Sequence, residues 1–469
     1  MSIRELIAQL DGNEKLIKLK IGDIYIWPLI RFDVIQAIIN HQSSLDEPNK
    51  KVLGKSSGRS LRALLRSLVF SMPNFLSRRK TKYLFFTNEL STVPSGDGLF
   101  YNRVSEYFFD LIDSDALVIE RSGDFTLKPR RHQRIMSSVA LTLDEKLTAI
   151  FEKRNEILIE SLVQQILKIV LSLIPDFNEI SQWKLKVKLS GQLNFRGVLK
   201  AYHRFLKRKN PEVIFVEDAH YGGRAALLTL AAKRLGIKVA EPQHGFVNEN
   251  HPSYNFGKGV LEHKELCQYY PDFFLTYGAF WSNATSVPNM TVEIGNPHLM
   301  KNIRLFPAHK ISQEQTILVS GSGVSIKETN QLLTKLVLKN QAHQVIYRPH
   351  PMERSMVQER YAEPIRAGIL IDINPNVYES IMKADLVISE LSTVLFESIA
   401  LKKNTKLYMS SYTLAYHSDS LKYLESFYID DLDTLFDFNK AKLDQAYKYY
   451  WIENWEDAFR QFLITFEKK

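Results

Sequence analysis

Residues 212–245 read EVIFVEDAHYGGRAALLTLAAKRLGIKVAEPQHG and contain a complete strand-helix-strand unit. The run EVIFVED (212–218) is short, apolar and rich in β-branched and aromatic residues, which predicts a buried strand. A helix follows over 222–237 and closes at Gly236, with Lys233 and Arg234 in its last turn. KVAEPQHG (238–245) predicts the next strand. Strands separated by a helix in this way indicate a parallel α/β sheet.

The same alternation of strands and helices extends on both sides of this unit, and near residue 310 it restarts as a second series. Before the restart, strands are predicted at KYLFFTN (82–88), ALVIER (116–121) and FFLTYG (273–278), with a long helical region over 144–174. After it come TILVSGSG (316–323), QVIYRPHP (344–351), GILIDI (368–373), DLVISE (385–390) and TKLYMS (405–410). The fold prediction is therefore α/β, with two Rossmann-like domains facing across a cleft: an acceptor domain over 81–309 and a donor domain with C-terminal helices over 310–469.

The first 80 residues form a predicted N-terminal extension. A small helical unit precedes a polar linker at 43–58. Residues 51–82 then contain nine cations and no acid, interleaved with Leu61, Leu64, Leu65, Leu68, Val69 and Phe70: Lys51, Lys55, Arg59, Arg62, Arg66, Arg78, Arg79, Lys80 and Lys82. Two interpretations stand open. The segment lies on an anionic membrane surface, or it is a solvated helix that packs its leucine face on its own protein.

The composition indicates which class of protein and which kind of partner to expect. The chain has 469 residues, a net charge of +9 and a pI near 9.2, which suits a partner that carries phosphates. Cys267 is the only cysteine, so we expect no intrachain disulfide and a reducing compartment. No membrane-spanning run or signal peptide is evident. We expect a cytoplasmic protein, peripheral at the inner face of the membrane, and no nucleic-acid partner, because no RNA-binding motif accompanies the charge.

Two motifs of the second half suit a phosphate. TILVSGSG ends a strand in Gly321, Ser322 and Gly323, which allow the backbone to approach an anion closely. YRPHP (347–351) ends another strand with a guanidinium and an imidazole held beside prolines, from Arg348, His350 and Pro351. The alternatives are an ordinary tight turn for the first motif and a turn-capping histidine for the second.

A third motif, SELSTVLFE (389–397), crosses from a strand into a helix. Ser389, Ser392 and Thr393 follow the strand where the helix begins, and their hydroxyls with the free amides would cradle an anion. We assign Glu390, Ser392 and Thr393 to the same donor site. Glu397 lies one turn after Thr393 on the same helix face and would accept from ribose hydroxyls. Simple capping by Ser392 or Thr393, and a solvated acid at 397, are the alternatives.

The first half supplies candidate catalytic and acceptor residues. Glu217 and Asp218 end one strand, and Gln243, His244 and Gly245 end the next. Because neighbouring parallel strands end at one edge of a sheet, Asp218 and His244 are expected to lie close enough to deprotonate a hydroxyl. His220 and Tyr221 occupy the intervening loop, and they are assigned to the acceptor side of the cleft together with Gln243 and Gly245. A helix cap for Asp218 and a buried role for His244 are the alternatives. No spacing matches a metal site, so no metal or other cofactor is expected.

Together, QHG, RPHP and STVLFES resemble bacterial surface-polysaccharide glycosyltransferases of the GT-B fold. The HP and S-[ST]-x-x-x-E patterns are similar to those of capsule Kdo transferases and bacterial sialyltransferases, which use CMP-activated sugars. The resemblance implies that His350 and Pro351 meet the nucleotide phosphate, that Ser392 and Thr393 bind phosphate, and that Glu397 binds the ribose or base. It maps the acidic base to Glu217 or Asp218, although Ala219 follows here where the sialyltransferases have glycine.

The predicted function is a metal-independent, inverting glycosyltransferase of lipopolysaccharide O-antigen or capsule biosynthesis. Its partners would be an activated, CMP-linked sugar donor and a lipid-linked glycan acceptor. Two enzyme alternatives keep the phosphate site: a polyol-phosphate transferase of the CDP-glycerol type, and a transferase that uses phosphoribosyl pyrophosphate. A third alternative is a scaffold of polysaccharide assembly without catalysis.

Overall fold

A computed structural model describes residues 1–42, 61–95, 97–112, 115–123, 128–130, 132, 134–152, 155–305, 316–339, 343–351, 353–417 and 419–467. The predicted linker over 43–58, the cations Lys51, Lys55 and Arg59, and the predicted domain boundary near 309 lie outside these residues.

Strands are numbered β1 to β17 along the chain. Two small antiparallel hairpins are β1 (Lys20–Ile21) with β2 (Ile24–Tyr25), and β4 (Thr92–Pro94) with β5 (Phe100–Asn102). The first large sheet contains β3 (Tyr83–Asn88), β6 (Ala116–Arg121), β7 (Ile135–Ser137), β8 (Val213–Val216), β9 (Lys238–Pro242), β10 (Phe273–Thr276) and β11 (Met290–Glu293). The second contains β12 (Thr316–Ser320), β13 (Gln344–Arg348), β14 (Leu370–Ile371), β15 (Leu386–Ser389), β16 (Asn404–Tyr408) and β17 (Ser426–Phe427).

Both large sheets are parallel throughout, and each changes direction once. The first has the spatial order β11-β10-β9-β8-β3-β6-β7, and the second has the order β14-β13-β12-β15-β16-β17. In the first sheet, the strands after β3 are added toward the β7 edge and those after β8 toward the β11 edge. In the second sheet, the strands after β12 are added toward the β14 edge and those after β15 toward the β17 edge. The predicted fold class, α/β with two Rossmann-like domains, is confirmed. Ligands of such sheets bind at the reversal, which we call the switch point.

Helices cover the two sheets and are numbered in chain order. Those of the first half are α1 (Ile3–Asp11), α2 (Glu14–Ile17), α3 (Trp27–Gln42), α4 (Leu61–Leu76), α5 (Glu106–Ile112), α6 (Val139–Ile150), α7 (Glu156–Leu173), α8 (Glu179–Leu193), α9 (Val198–Lys209), α10 (Gly223–Arg234), α11 (Lys258–Leu261), α12 (Ala279–Asn283) and α13 (Pro297–Leu305). Those of the second half are α14 (Ile326–Lys339), α15 (Val357–Arg360), α16 (Ala362–Arg366), α17 (Val377–Lys383), α18 (Thr393–Ala400), α19 (Ser411–Tyr416), α20 (Lys440–Tyr450) and α21 (Trp455–Glu467).

The predicted N-terminal extension is built into the first domain. Asp11 of α1 and Arg31 of α3 form a buried bidentate ion pair, with nitrogen-oxygen distances of 2.7 and 2.8 Å. Asp11 also accepts the amide of Gly257 at 2.7 Å, and the Arg31 guanidinium lies 4.0 Å from the centroid of the Phe256 ring. Because a buried ion pair is stable only when both partners stay bonded, residues 1–42 and the 252–257 loop form one packed unit.

The last helix returns to the first domain. Phe459 of α21 packs on Phe108 and Phe215, at ring-centroid distances of 4.3 and 5.8 Å. The preceding helix, α20, lies beside α12 of the first half and α18 of the second. The C-terminal helices therefore connect the two domains. Among the described residues, none of these helices is both long enough and apolar enough to cross a membrane.

Candidate functional site

The first switch point lies between β3 and β8, and a hydrogen bond joins the two strand ends. Asn88, the last residue of β3, donates from Nδ2 to Oδ2 of Asp218 at 3.1 Å. Asp218 follows β8 with φ +63° and ψ +27°, in the left-handed region that non-glycine residues rarely adopt. Such a backbone costs about 1–3 kcal/mol and is found most often at functional sites.

His244 meets Asp218 at this edge, as the sequence predicts. Its Nε2 lies 3.3 Å from Oδ1 of Asp218, and both side chains are about one-quarter exposed. On the other side of the carboxylate, an Arg121 nitrogen lies 3.7 Å from Oδ2. This pair, which we call the dyad, is open to solvent and combines two groups that can exchange a proton.

A buried carboxylate sits behind the dyad. Tyr254 donates its hydroxyl to Glu241 at 2.7 Å, and the same oxygen lies 3.5 Å from Nδ1 of His244. Since the Tyr254 proton is given to Glu241, its oxygen is left to accept from His244. The fully buried Glu241 is also bonded to the backbone nitrogen of His220 at 2.9 Å and to that residue's ring. The arrangement orients the imidazole.

Several first-half residues lie elsewhere than the sequence predicted. His220 is buried on Glu241 and does not line the cleft. Gln243 is also buried, because its side chain accepts from the backbone of Tyr277 and donates to the carbonyl of Gly245, at 3.0 and 2.9 Å. Both residues hold loops in place. Tyr221 does lie at the dyad, with its ring centroid 5.7 Å from that of His244.

Glu217 is a structural acid. Its carboxylate accepts from the backbone of Asn88 at 3.0 Å and from the hydroxyl of Ser105 at 2.9 Å. Burial raises its pKa, and the neighbouring charge of Asp218 adds to the rise. Glu217 thus ties β3 to β8, which leaves Asp218 as the partly exposed acid of the two.

The second switch point lies between β12 and β15, and a buried acid joins its loops. Glu390, which follows β15, accepts from the hydroxyls of Ser322 and Ser410. Ser410 follows β16 and caps α19 by accepting from Thr413 at 3.2 Å. The loops after β12, β15 and β16 are therefore fastened to one carboxylate. Glu390 is only 2% exposed, so it holds these three loops together from inside the fold.

The side chain at the N-cap position of α18 does not cap the helix. Ser392 is the N-cap residue, but its side chain makes no capping bond and its hydroxyl instead lies 2.9 Å from that of Ser389. Ser392 and Thr393 are both partly exposed. The capping alternative is wrong for the Ser392 side chain, and the first amides of this eight-residue helix keep their donors for another partner.

Arg348 is less available than the sequence predicted. It is 6% exposed, and its Nη1 bonds Asp372 at 2.5 Å and Ser380 at 3.1 Å. β13 and β14 pair in register with Tyr347 opposite Ile371, so Arg348 and Asp372 leave the sheet side by side. Burial acts to raise the pKa of Asp372, but hydrogen bonds from Ser380 and Asn374, together with the ion pair with Arg348, outweigh it and lower the pKa.

His350 lies against the glycine loop. A Cβ on Gly323, which has φ +77°, would lie 3.3 Å from that of His350. The His350 backbone donates to Glu353 at 2.9 Å, and burial lowers the pKa of its ring. Pro351 is exposed beside it. A Cβ on Gly321 would come within 2.1 Å of the Tyr347 hydroxyl, so glycine is needed there for packing.

Arg103 is a cleft residue that sequence reasoning missed. It follows β5 and donates from Nη2 to the carbonyl of His244 at 3.4 Å. Its charge also acts on Glu397 of α18, where it opposes the rise in pKa that burial causes. Glu397 is 3% exposed and bonds Tyr378. Arg103 thus lies between the dyad and the donor helix, and the placement of an arginine after a short hairpin gives no motif by which to find it.

Further contacts close the two domains on one another. Phe246, just after the QHG motif, stacks on Phe396 of α18 with centroids 5.5 Å apart. His298 of α13 accepts from Tyr107 at 3.0 Å, and its ring meets that of Tyr378 at 5.2 Å. Burial lowers the pKa of His298 to about 3. The described residues contain no group of three or more histidine, cysteine or acidic side chains arranged to hold a metal ion.

Comparison with protein-family models gave no match, and comparison with curated proteins gave none either. Solved structures with a similar course include a UDP-GlcNAc 2-epimerase from Neisseria meningitidis bound to UDP-GlcNAc, at 11% identity, 82% coverage of this chain, 100% of that chain and a TM-score of 0.45. The wall teichoic acid polymerase TagF is another, at 12% identity, 88% and 97% coverage and a TM-score of 0.42. Identities and TM-scores this low say nothing about the chemistry of the site, which is inferred from the geometry of the site itself.

Proposed function

We propose that this chain is a transferase that moves a sugar from a nucleotide-activated donor to a hydroxyl acceptor in the cleft between its domains. One observation carries the proposal. The dyad of Asp218 and His244 lies at one switch point, the uncapped start of α18 follows the other, and Arg103 reaches from the dyad toward α18. A proton acceptor is thereby brought together with groups that bind an anion.

In the proposed reaction, the acceptor oxygen attacks the anomeric carbon of the donor sugar. The bond between that carbon and the phosphate oxygen breaks, and the nucleotide leaves with the bonding electrons. The dyad takes the proton of the acceptor hydroxyl, and the hydrogen-bonded Tyr254 and Glu241 behind it hold the imidazole in position. A single displacement of this kind inverts the configuration at the anomeric carbon.

The leaving phosphate would be stabilised by protein groups. The amides at the start of α18 and the hydroxyls of Ser392 and Thr393 donate to it, with His350 at the neighbouring loop. Arg103 supplies a positive charge from the opposite domain, since one Arg348 nitrogen is already bonded to Asp372. No metal is required in this scheme, because donors fixed in place can neutralise the developing charge.

The donor and acceptor classes complete the proposal. The HP and S-[ST]-x-x-x-E patterns favour a CMP-linked sugar, and the acceptor is a lipid-linked glycan of lipopolysaccharide or capsule synthesis at the inner face of the membrane. The test incubates the purified full chain with CMP-sugars, CDP-glycerol and phosphoribosyl pyrophosphate, each with a lipid-linked glycan. The expected result is release of CMP together with a new glycosidic bond in the product, detected by mass spectrometry.

The same assay separates the alternatives. A phosphodiester in the product would identify a polyol-phosphate transferase and overturn the sugar-transfer proposal. A scaffold would give no product with any donor, and its His244→Asn variant would support glycan assembly in cells as well as the unaltered chain does. His203→Asn, at an exposed position of α9, is the matched control and should be fully active.

A further inference from the structure

The helix α4 leaves much of its apolar surface exposed, although Phe75 is buried and Leu68 and Met72 pack against the core. Its buried residues are Ser67, Ser71 and Phe75, and Ser71 accepts the amide of Ser137 at 2.9 Å. The opposite side carries five apolar side chains that are each more than half exposed: Leu61, Leu65, Val69, Phe70 and Leu76. α4 therefore carries more apolar surface than packing on its own domain uses.

The neighbouring helix α6 extends this exposed surface. It packs against α4 and exposes apolar side chains at helical spacing, namely Leu143, Leu147, Ile150 and Phe151. Phe151 is 89% exposed, although a phenylalanine normally gains by burial. We call these nine side chains of α4 and α6 the α4–α6 face. Exposed apolar patches of this kind mark binding surfaces in soluble proteins.

The charges around the α4–α6 face are positive. The exposed cations on or beside it pair with no acid among the described residues: Arg62, Arg66, Arg78, Arg79, Lys80 and Lys146. The acids nearby are already neutralised, because Asp144 pairs with Arg204 at 2.7 Å and Glu152 pairs with Lys200 at 2.9 Å. The face therefore combines apolar side chains with uncompensated positive charge.

We propose that the α4–α6 face docks the protein on the surface of an anionic lipid bilayer. Arginine and lysine attract the negative headgroups, and the leucine and phenylalanine side chains enter the boundary between headgroups and acyl chains. The sequence had left membrane contact of 51–82 open against packing on the protein. The exposed side of α4 favours contact, and α6 adds a second contributor that the basic segment did not predict.

This inference deepens the proposed function, because a lipid-linked acceptor would be found at such a surface. The docking itself does not depend on transfer, so the experiment measures binding without any donor. The full chain is sedimented with vesicles of phosphatidylglycerol and phosphatidylcholine, and separately with phosphatidylcholine alone. We expect binding to the mixed vesicles that weakens as salt is added, and binding at least about tenfold weaker without the anionic lipid.

Variants assign the binding to this face. The double substitution Leu65→Asp and Val69→Asp places charge on exposed positions, so folding is preserved, and we expect partitioning to fall at least about tenfold. The matched control is Leu338→Asp with Ile373→Asp, at two apolar positions of the donor domain that are 65% and 74% exposed. It should bind vesicles as the unaltered chain does. Arg62→Gln with Arg66→Gln should reduce only the part of binding that salt screens.

Three results would overturn the proposal. Equal partitioning of the Leu65→Asp and Val69→Asp variant and the unaltered chain would show that another surface binds. Equal binding to neutral and mixed vesicles would remove the role of the cations. Self-association of the unaltered chain that this variant abolishes, without vesicle binding by either, would show that the face joins two copies. Transfer to a water-soluble acceptor should be unaffected by the variant, so a failed transfer assay and a failed docking assay are distinguishable.

Discussion

The strand ends at the two switch points carry different kinds of side chain. Around β3 and β8 the exposed groups titrate or carry charge: Asp218 after β8 in a left-handed conformation, His244 after the neighbouring β9, and Arg121 at the end of β6. At β12 and β15 they are hydroxyls, glycines and backbone amides, and the acid present, Glu390, is buried and already bonded. The first arrangement suits proton transfer, and the second suits holding an anion without exchanging protons with it. A similar sheet topology thus supports two separate tasks.

The largest effect is expected from removing charge at the first switch point, which tests whether this switch point carries out the proton transfer. Asp218→Asn keeps the bond from Asn88 but loses the acid, and we expect kcat to fall by about 10³ while the donor Kd is unchanged. His244→Asn should cost a similar factor, and the double variant should be little worse than either, because the two residues act as a unit. Steady-state kinetics and donor titration measure both quantities.

The control is Asp115→Asn, at an exposed position before β6, which should retain full activity. If Asp218→Asn instead weakens donor binding with kcat intact, the first switch point holds the donor and the assignment of tasks is reversed.

The second switch point should depend on close packing more than on charge. In Gly321→Ala the new methyl would lie 2.1 Å from the Tyr347 hydroxyl, which is bonded to Glu353 at 2.6 Å and to Tyr361 at 2.8 Å. We expect the free energy of unfolding to fall by about 2 kcal/mol in urea denaturation, because the buried network must shift. Gly191→Ala, in a helix with nothing near the added methyl, should be neutral or stabilising. Unchanged stability of Gly321→Ala would mean that this loop is not tightly packed.

Acid should destabilise the protein through its buried histidines at a higher pH than through the paired carboxylate of Asp372. Burial lowers the pKa of His298 to about 3, so the folded state binds fewer protons than the unfolded state below about pH 6.5. Stability is then lost as pH falls from about 6.5 toward 3, by up to about 1.4 kcal/mol per pH unit for this residue. The depressed pKa of Asp372 gives a loss that begins only below about pH 4.

Urea denaturation across this pH range tests the order. His298→Gln should flatten the dependence between about pH 6 and 4, whereas Asp372→Asn should flatten it only in stronger acid. The exposed His203→Gln is the matched control and should leave the curve unchanged. A curve for His298→Gln that is parallel to that of the unaltered chain would show that His298 charges freely in the fold.

The smallest expected effect is at the start of α18. Ser392→Ala removes one hydroxyl and keeps the amides, so the donor Kd should rise roughly fivefold with kcat little changed. Ser172→Ala, on the exposed side of α7, should bind the donor normally. A large loss of kcat with unchanged Kd would assign Ser392 to the chemistry, and the division between the two switch points would fail.

Much of the fold is predictable because apolar runs mark parallel strands. Strands form within the predicted segments 82–88, 116–121 and 316–323, as Tyr83–Asn88, Ala116–Arg121 and Thr316–Ser320, and the helix predicted over 222–237 is Gly223–Arg234. The order of the strands is not predictable, since every buried strand has similar apolar composition and none encodes its neighbour. The switch points could therefore be recognised only from the structure.

Part of the candidate site was likewise predictable from the sequence, and part of it was not. Asp218 and His244 were predictable as neighbours because they end successive strands of one unit. Arg103, Asn88 and Tyr254 were missed, since their roles depend on contacts between segments far apart in sequence. His220 was assigned to the cleft because a loop position was taken as exposed, but the buried charge of Glu241 holds it inside.

The ion pair of Asp11 and Arg31 has a consequence for synthesis of the chain. These residues are made early, but their buried charges are complete only when Gly257 donates to Asp11 and the carbonyl of Asn255 accepts from Arg31, at 2.7 and 2.5 Å. On the ribosome, the first helices must wait for more than two hundred further residues before this contact can form. The early segment then closes over the loop that carries Tyr254, so native order at the dyad arrives late in folding.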